Sequence, residues 1–370
     1  MNQYESLPTS DPEKNGLHVP TAVPVANYAR LVETRQAQKH PRLNACKRFL
    51  FVSLLFLLTF SVTRRMIYPT YNNSPLYDYD PNRPFLNDGV RFCEDAEMVP
   101  WHGNGKFALD TESINSLVVK LQGTTQNSLV SIHSHNGEES DSVVVLVKVR
   151  LSDETLQKTI DIDTTVEDDI FSILINTPRE LVDECVTVNI DISFPSSLGT
   201  FGNLEIKVPN FDIFEHCIEN NLQFGSVDIG TTVGDIYVTN LITTSATVRT
   251  ANGDIKGKFD VAEDFLASAG NGWINATIAP FVHEGTEAKW DLNAKSVNGF
   301  VKLALSSTFE GRFDLYTLSG SAYVSSISHP DNIHFAKQRR NEAKGYFGAS
   351  DAPSVVSLTG VHGDIEVVFE

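Results

Sequence analysis

Residues 227–238 read VDIGTTVGDIYV, residues 246–257 read ATVRTANGDIKG, and residues 356–367 read VSLTGVHGDIEV. Aligning on the glycine before Asp-Ile brings in three further segments, so that Gly234, Gly253, Gly272, Gly299, Gly320 and Gly363 mark six units. The glycines are 19, 19, 27, 21 and 43 residues apart, the last interval about twice the unit. Seven residues before them stand Val227, Ala246, Phe265, Leu292, Phe313 and Val356; five before stand Ile229, Val248, Ala267, Ala294, Leu315 and Leu358. Two after come Ile236, Ile255, Ile274, Val301, Ala322 and Ile365. Three before are small residues: Thr231, Thr250, Ala269, Ser296, Thr317 and Gly360. Apolar residues at alternate positions on both sides of a glycine describe strand, turn, strand with one buried face. Glycine permits the positive φ of the bend, and Asn252, Asn271 and Asn298 before it suit the same turn. A unit this short cannot bury its apolar face alone, whereas stacked units share a continuous core, the logic of a β-solenoid. A set of Asn-Gly hairpins in a β-sandwich is the competing arrangement.

Outward from the repeat, residues 100–216 also alternate. Val143, Val145, Val147, Val149 and Leu151 share one phase, as do Val186, Val188, Ile190, Ile192 and Phe194. The fold class expected is therefore all-β: antiparallel strands over 100–216, then a solenoid-like repeat over 217–370. Only residues 333–344 read as a helix. They lie in the long insertion 326–350, which holds a basic cluster of Lys337, Arg339, Arg340 and Lys344.

Toward the N-terminus the chain changes character. Residues 49–63, FLFVSLLFLLTFSVT, carry no charge and are bracketed by Lys47, Arg48, Arg64 and Arg65. Segment 49–65 is expected to be one transmembrane signal-anchor helix, its uncharged stretch 49–63 short at about 22 Å but extended by snorkelling cations. Residues 1–48 carry seven Lys/Arg and four acids; residues 66–370 carry 20 Lys/Arg and 43 acids. The cation bias places the N-terminus in the cytoplasm and the acidic head outside. An acidic head of this kind excludes nucleic acid as a partner. Residues 1–48 read as a disordered tail and 66–99 as a stalk. The sequons at Asn72 and Asn275 both lie on the expected outer side. In the tail, Tyr4 with Leu7 and Tyr28 with Leu31 form two Tyr-x-x-Leu sorting tetrads. Cys46 is a juxtamembrane lipidation candidate. Beyond the apolar segment stand Cys93, Cys185 and Cys217; Cys185–Cys217 is the pairing expected, since both lie in the β region.

The units Thr-Val-Gly234-Asp-Ile-Tyr-Val, Thr-Ala-Asn-Gly253-Asp-Ile-Lys-Gly and Val-His-Gly363-Asp-Ile-Glu-Val resemble the putative-adhesin family of repeat β proteins. The resemblance spans residues 110–370 and implies a solenoid-like fold and surface exposure, without naming a ligand. Trp273 and Phe300 depart from the pattern, standing where other units have Asp.

Asp235, Asp254 and Asp364 would line up in a stack as a carboxylate ladder, open to Ca²⁺ or simply solvated. His133-x-His135 supplies two imidazoles on one strand face, short of a zinc set. Asp161-x-Asp163 fits the metal–nucleotide triplet of Golgi transferases but also an alternating strand with its acids in water. Arg339-Arg340 is a dibasic processing candidate, and no cofactor motif emerges. The function expected is adhesion or recognition at the cell surface, with a carbohydrate or protein ligand and oligomeric state open. The alternatives are a secretory-pathway carbohydrate-active enzyme with a β-helix domain, or a structural protein retained in the Golgi.

Overall fold

The computed structural model describes residues 93, 97–135, 141–181, 184–216, 218, 222–281 and 289–370. The signal-anchor segment 49–65, the tail with its Tyr4, Leu7, Tyr28, Leu31 and Cys46, and the sequon at Asn72 lie outside the described residues. So does Cys217. Among the described residues no helix is long and apolar enough to cross a membrane. The segment Phe85–Glu370 is one compact unit.

The described chain is all-β, with two 3-10 turns at Glu154–Lys158 and Pro330–Asn332. Its first strands are β1 (Val99–Pro100), β2 (Lys106–Asp110), β3 (Ser116–Gln122), β4 (Ser128–His135), β5 (Ser142–Leu151), β6 (Asp161–Glu167), β7 (Ile170–Asn176), β8 (Val186–Pro195) and β9 (Thr200–Glu215). The repeat follows as β10 (Gln223–Val233), β11 (Ile236–Asn252), β12 (Ile255–Asn271), β13 (Ile274–Pro280), β14 (Asp291–Asn298), β15 (Val301–Leu305), β16 (Gly311–Ser319) and β17 (Ala322–Ser326). The last four are β18 (Ile333–Arg339), β19 (Glu342–Phe347), β20 (Ser354–His362) and β21 (Ile365–Phe369).

The repeat spacing becomes hydrogen-bond register. Ile229 of β10 pairs in parallel with Val248 of β11, which pairs with Ala267 of β12. After the glycine, Ile236 pairs with Ile255 and Ile255 with Ile274. The longer interval is absorbed outside the ladder: Ala267 pairs with Ala294, and Ile274 with Val301. Each unit thus contributes one arm before its glycine and one after, in two layers. The first layer runs β6, β7, β3, β9, β10, β11, β12, β14, β20, β16, β19, β18. The second runs β2, β5, β8, β4, β9, β11, β12, β13, β15, β21, β17, with β1 also on β5. Long strands β9, β11 and β12 bend and serve both layers.

The expected inward residues are buried, among them Val227, Ile229, Ile236, Ile255, Ile274, Leu292 and Ile365, in one hydrophobic cluster running from Leu109 to Phe369, with Ala322 of the terminal unit half-buried against it. Burial of this kind contributes about 25 cal/mol per Å² of apolar surface. The hydroxyls three residues before the glycine also have a task. Thr250 Oγ1 donates to the Gly234 carbonyl at 3.0 Å, Ser296 Oγ to Gly272 at 2.9 Å, and Thr317 Oγ1 to Gly363 at 2.9 Å. These three turn carbonyls are thereby satisfied from the adjoining unit.

The strands over 100–216, expected to be antiparallel, are mixed: β3 runs parallel to β7 and β9, and β4 to β8 and β9, because alternation names the buried face and not the strand direction. Four further features depart from the sequence reading. First, a seventh unit precedes Gly234: Phe211 takes the glycine position, because β9 pairs with β10 at Asn210–Val233. Second, the stack leaves chain order at its end. The unit Ser354–Phe369 lies between β14–β15 and β16–β17, since β20 pairs with both β14 and β16. Third, residues 333–344 are not helical. Their Ala, Lys, Gln, Arg and Glu favour a helix locally, but β18 and β19 form a hairpin whose second strand extends β16 antiparallel; tertiary pairing overrides propensity. The hairpin tip takes the place of a next unit, with Thr317 N–H donating to the Asn341 carbonyl and Ala322 N–H to the Arg340 carbonyl. Fourth, Cys185 is bonded to Cys93, with Cα atoms 5.8 Å apart, so the expected Cys185–Cys217 pair is corrected. The alternation that placed Cys185 and Cys217 in the same β region carried no information on distance, and the bond runs back to the segment before β1.

Candidate recognition surface

The second layer presents its outward side chains as rows across the stack. The residue after each glycine forms one row: Asp235, Asp254, Trp273, Phe300, Asp364 and Ser321 in spatial order. The carboxylates are anchored to neighbouring backbone. Asp212 Oδ1 accepts from Asp235 N–H at 2.8 Å, Asp235 Oδ1 from Asp254 N–H at 2.7 Å, and Asp254 Oδ1 from Trp273 N–H at 2.7 Å. Asp364 Oδ1 does the same for Ser321 N–H at 2.8 Å. The Asp row is therefore a device that satisfies the amide beside each turn, with one oxygen of each carboxylate committed to backbone. A parallel Asn row does likewise, Asn271 Nδ2 donating to Asn252 Oδ1 and Asn298 Nδ2 to Asn271 Oδ1, both at 2.7 Å.

Two residues further on runs Phe214, Tyr237, Lys256, Asn275, Lys302, Glu366 and Tyr323. Phe214 and Tyr237 stack with centroids 5.1 Å apart, and Lys256 lies over the Tyr237 ring. Tyr237 donates to Asp235 Oδ2 at 3.0 Å, and burial, then the charge of Asp235, push its pKa far up. Asn275 is exposed on β13, as the alternation requires.

At the start of this layer, His133 Nδ1 lies 3.2 Å from Asp191 Oδ1 without hydrogen-bond alignment, and its ring stacks on His216. Burial, then the nearby His133, lower the pKa of His216. Among the described residues no three metal-ligating side chains converge. Asp161 and Asp163 stand exposed on the edge strand β6.

Sequence reasoning missed the acids at the bend of β9. Glu215 is 2 % exposed and accepts from Thr239 and Asn240 N–H at 2.8 and 2.9 Å. Burial raises the pKa of Glu215 and of Asp212 despite these bonds; burial and then Asp291 raise that of Asp264. For an acid whose folded pKa exceeds its unfolded one, stability is fully present below the unfolded value and lost as pH rises through the folded value. Melting temperature is therefore expected to rise as pH falls from neutrality toward the carboxylate range, and Glu215→Gln to flatten that slope. Thermal scans at pH 7.5 and pH 5 check this; a melting temperature that falls over that interval contradicts it.

The first layer differs at its far end. Val297 of β14, Val361 of β20 and Leu318 of β16 each precede the register partners Asn298, His362 and Ser319, so they abut across three strands. Val297 is 48 % exposed and Leu318 63 %; Tyr316, two residues along β16, is exposed as well. Tyr323 and Ile327 extend exposed apolar surface around the terminal unit. Beside them the hairpin brings its cations. Lys337 pairs with Glu342, and Lys344 with Asp314 at 2.8 Å. Arg339 and Arg340 are exposed at the hairpin tip. The dibasic pair ends a paired strand, with the Arg340 carbonyl held by Ala322, so a protease needing extended chain must first open the hairpin. Exposed Leu and Tyr thus stand beside the Arg pair of the hairpin tip on a head that is otherwise acidic.

No family model matches the chain, and no curated protein matches it. Solved structures do. The chain is similar to a "putative adhesin" from Bacteroides fragilis at 11% identity, covering 73% of this chain and 97% of that one with a TM-score of 0.32. It is similar to another from Parabacteroides merdae at 14% identity, covering 74% and 97% with a TM-score of 0.32. It is also similar to a "putative cell adhesion protein" from Clostridium sporogenes at 10% identity, covering 74% and 100% with a TM-score of 0.25.

Proposed function

We propose that this chain is a single-pass type II membrane protein whose acidic β-repeat head, a β-solenoid in architecture, serves adhesion or recognition of a protein or carbohydrate ligand at the cell surface. The register offsets of one unit, repeated in both layers, support the solenoid reading. The uncharged segment 49–63 between paired cations supports the topology. The observation that carries the recognition reading is the exposed first-layer patch of Tyr316, Leu318 and Val297 at the end of the stack where the hairpin tip brings Arg339 and Arg340. Apolar side chains at this density on the outside of a soluble head are a ligand surface in waiting, since their exposure adds nothing to the fold.

Protease shaving of intact cells carrying a C-terminal tag tests display: loss of the tag is expected, and protection sinks surface exposure. Binding to a ligand array tests recognition. The double variant Tyr316→Ala with Leu318→Ala is expected to weaken capture by roughly tenfold or more, while stability stays within about 0.5 kcal/mol. Turnover of a sugar ligand by the purified protein would overturn the binding reading in favour of an enzyme.

A further inference from the structure

Trp273 is the largest exposed side chain of the repeat, 58 % exposed in a row where it stands between Asp254 and Phe300 and where three other units carry Asp. A solvated indole there gains nothing from the stack, whereas the Asp it replaces would serve the next unit's amide. What the position does have is a neighbour. Trp273, Asn275 and Thr277 are alternate residues of one stretch entering and following β13, and alternate residues of a strand point to one face. Ile274, Ala276 and Ile278 point the other way and are fully buried. The indole therefore stands roughly 6.6 Å along the strand from the sequon asparagine, on its side of the sheet, at about 3.3 Å of rise per residue.

The surroundings of Asn275 are cleared. Its register partners are Lys256 and Lys302. Lys256 turns to Asp254 at 3.0 Å, and Lys302 turns to Glu366 at 3.2 Å. The Asn275 side chain makes no hydrogen bond to another described residue, although it stands in a face where Asp, Asn, Tyr and Lys are nearly all partnered. The Trp273 backbone is held by Asp254 at 2.7 Å, so the indole sits on a fixed support.

We infer that Asn275 carries an N-linked glycan whose first sugar packs its apolar ring face on the Trp273 indole, so that the modification is part of the folded surface. This rests on the topology proposed above. The Asn275 Nδ2 forms its bond to the anomeric carbon of a lipid-diphosphate-linked oligosaccharide; the lipid diphosphate leaves, and the amide gives up one proton. The stack covers apolar surface that the bare fold leaves in water, and a sugar on a rigid strand is ordered at small entropic cost. Trp273 acts as a positioning residue for the glycan.

The test is a double-mutant cycle on the full-length chain made in a glycosylating host and purified in detergent. Mass spectrometry locates sugar on Asn72 and Asn275, and melting is followed before and after peptide-N-glycosidase treatment. In the native chain, loss of the Asn275 glycan, by enzyme or by Thr277→Ala, is expected to lower the melting temperature by roughly 2–4 °C. In Trp273→Ala the same loss is expected to shift it by less than about 1 °C. An equal fall in both chains overturns the stack. Sugar on Asn72 with none on Asn275 overturns the inference and leaves the topology standing, whereas sugar at neither sequon removes the topology itself. Conversion to Trp273→Phe, keeping a ring, is expected to retain the coupling; a shift like that of alanine counts against it.

Discussion

Gly363→Ala is expected to lower stability by roughly 3 kcal/mol or more, and Gly234→Ala by a similar amount. Two independent obstacles meet at each position. Gly363 has φ +133° and Gly234 φ +142°, where L side chains rarely sit. A Cβ on Gly363 would also stand 2.2 Å from the Gly299 carbonyl oxygen, and one on Gly234 2.0 Å from that of Phe211. Both obstructions are backbone atoms of the adjoining unit, locked in the ladder, so neither can yield as the end of a flexible side chain would. Relief requires the units to separate, which breaks the carboxylate and hydroxyl bonds that link each turn to the next. At 2–4 °C per kcal/mol the melting temperature should fall by roughly 6–12 °C. Gly199→Ala is the control, because nothing lies within 4 Å of its added Cβ, and it is expected to melt within about 1 °C of the native chain. A Gly363→Ala chain that melts like the control would mean that the units are not stacked in this register.

The same glycines show how much of the fold the sequence makes legible. Alternation around a fixed glycine is a local pattern, and each apolar inward position it names is buried except Ala322 in the terminal unit, which is half-buried. The parallel offset follows too, since identical units present identical faces. Order in space is a different matter. Nothing in VSLTGVHGDIEV distinguishes a last unit from one inserted between two others, because the edge of any unit accepts any other. The position of Ser354–Phe369 between β15 and β17 is settled by the hairpin β18–β19, which occupies the end and leaves the gap behind it. Its sequence reads as a helix because exposed Lys, Gln, Arg and Glu suit a helix as well as an edge strand, and the partner that decides, β16, lies elsewhere in the chain. The unit at Phe211 was hidden for the opposite reason: it keeps Asp-Ile but lacks the glycine on which the alignment depends.

The candidate surface was legible only in part. The outward direction of Asn275 and Trp273 follows from period two, and so does the basic cluster as a cluster. That Val297, Val361 and Leu318 meet could not be read, since residues 297 and 318 are brought to the same partner by a strand from the chain's end. The Asp row illustrates the converse. Its regular spacing invites a cation, yet each carboxylate already accepts a turn amide, a competition that spacing alone does not reveal.

Loss of the Cys93–Cys185 bond, by Cys93→Ser or Cys185→Ser, is expected to cost about 4–5 kcal/mol, the loop-closure entropy of a ring of 92 residues. That ring encloses β1 to β7, more than half of the strands that precede the repeat. Its far end is firmly held, since Cys185 N–H donates to Ser152 Oγ at 2.7 Å and Ser152 N–H returns a bond to the Cys185 carbonyl at 2.9 Å. Its near end precedes β1, a strand of two residues on β5 that is steadied otherwise by Gln157, whose Nε2 donates to the Pro100 carbonyl at 2.8 Å. Without the bond, β1 and its pairing are the first structure expected to open, and amide hydrogen exchange at Val99, Trp101 and the facing Val149–Leu151 should rise before the repeat loosens. Such a bond also reports on compartment, because it persists only where thiols are not kept reduced. Non-reducing peptide mapping of the chain isolated from cells, with free thiols alkylated at lysis, therefore reads two things at once. Cys93 joined to Cys185 with Cys217 alkylated agrees with the fold and with a head outside the cytoplasm. A Cys185–Cys217 link would overturn the path of the chain before β1. All three cysteines alkylated would leave the strands intact and place the head in a reducing compartment, so the membrane topology, rather than the architecture, would have to be given up.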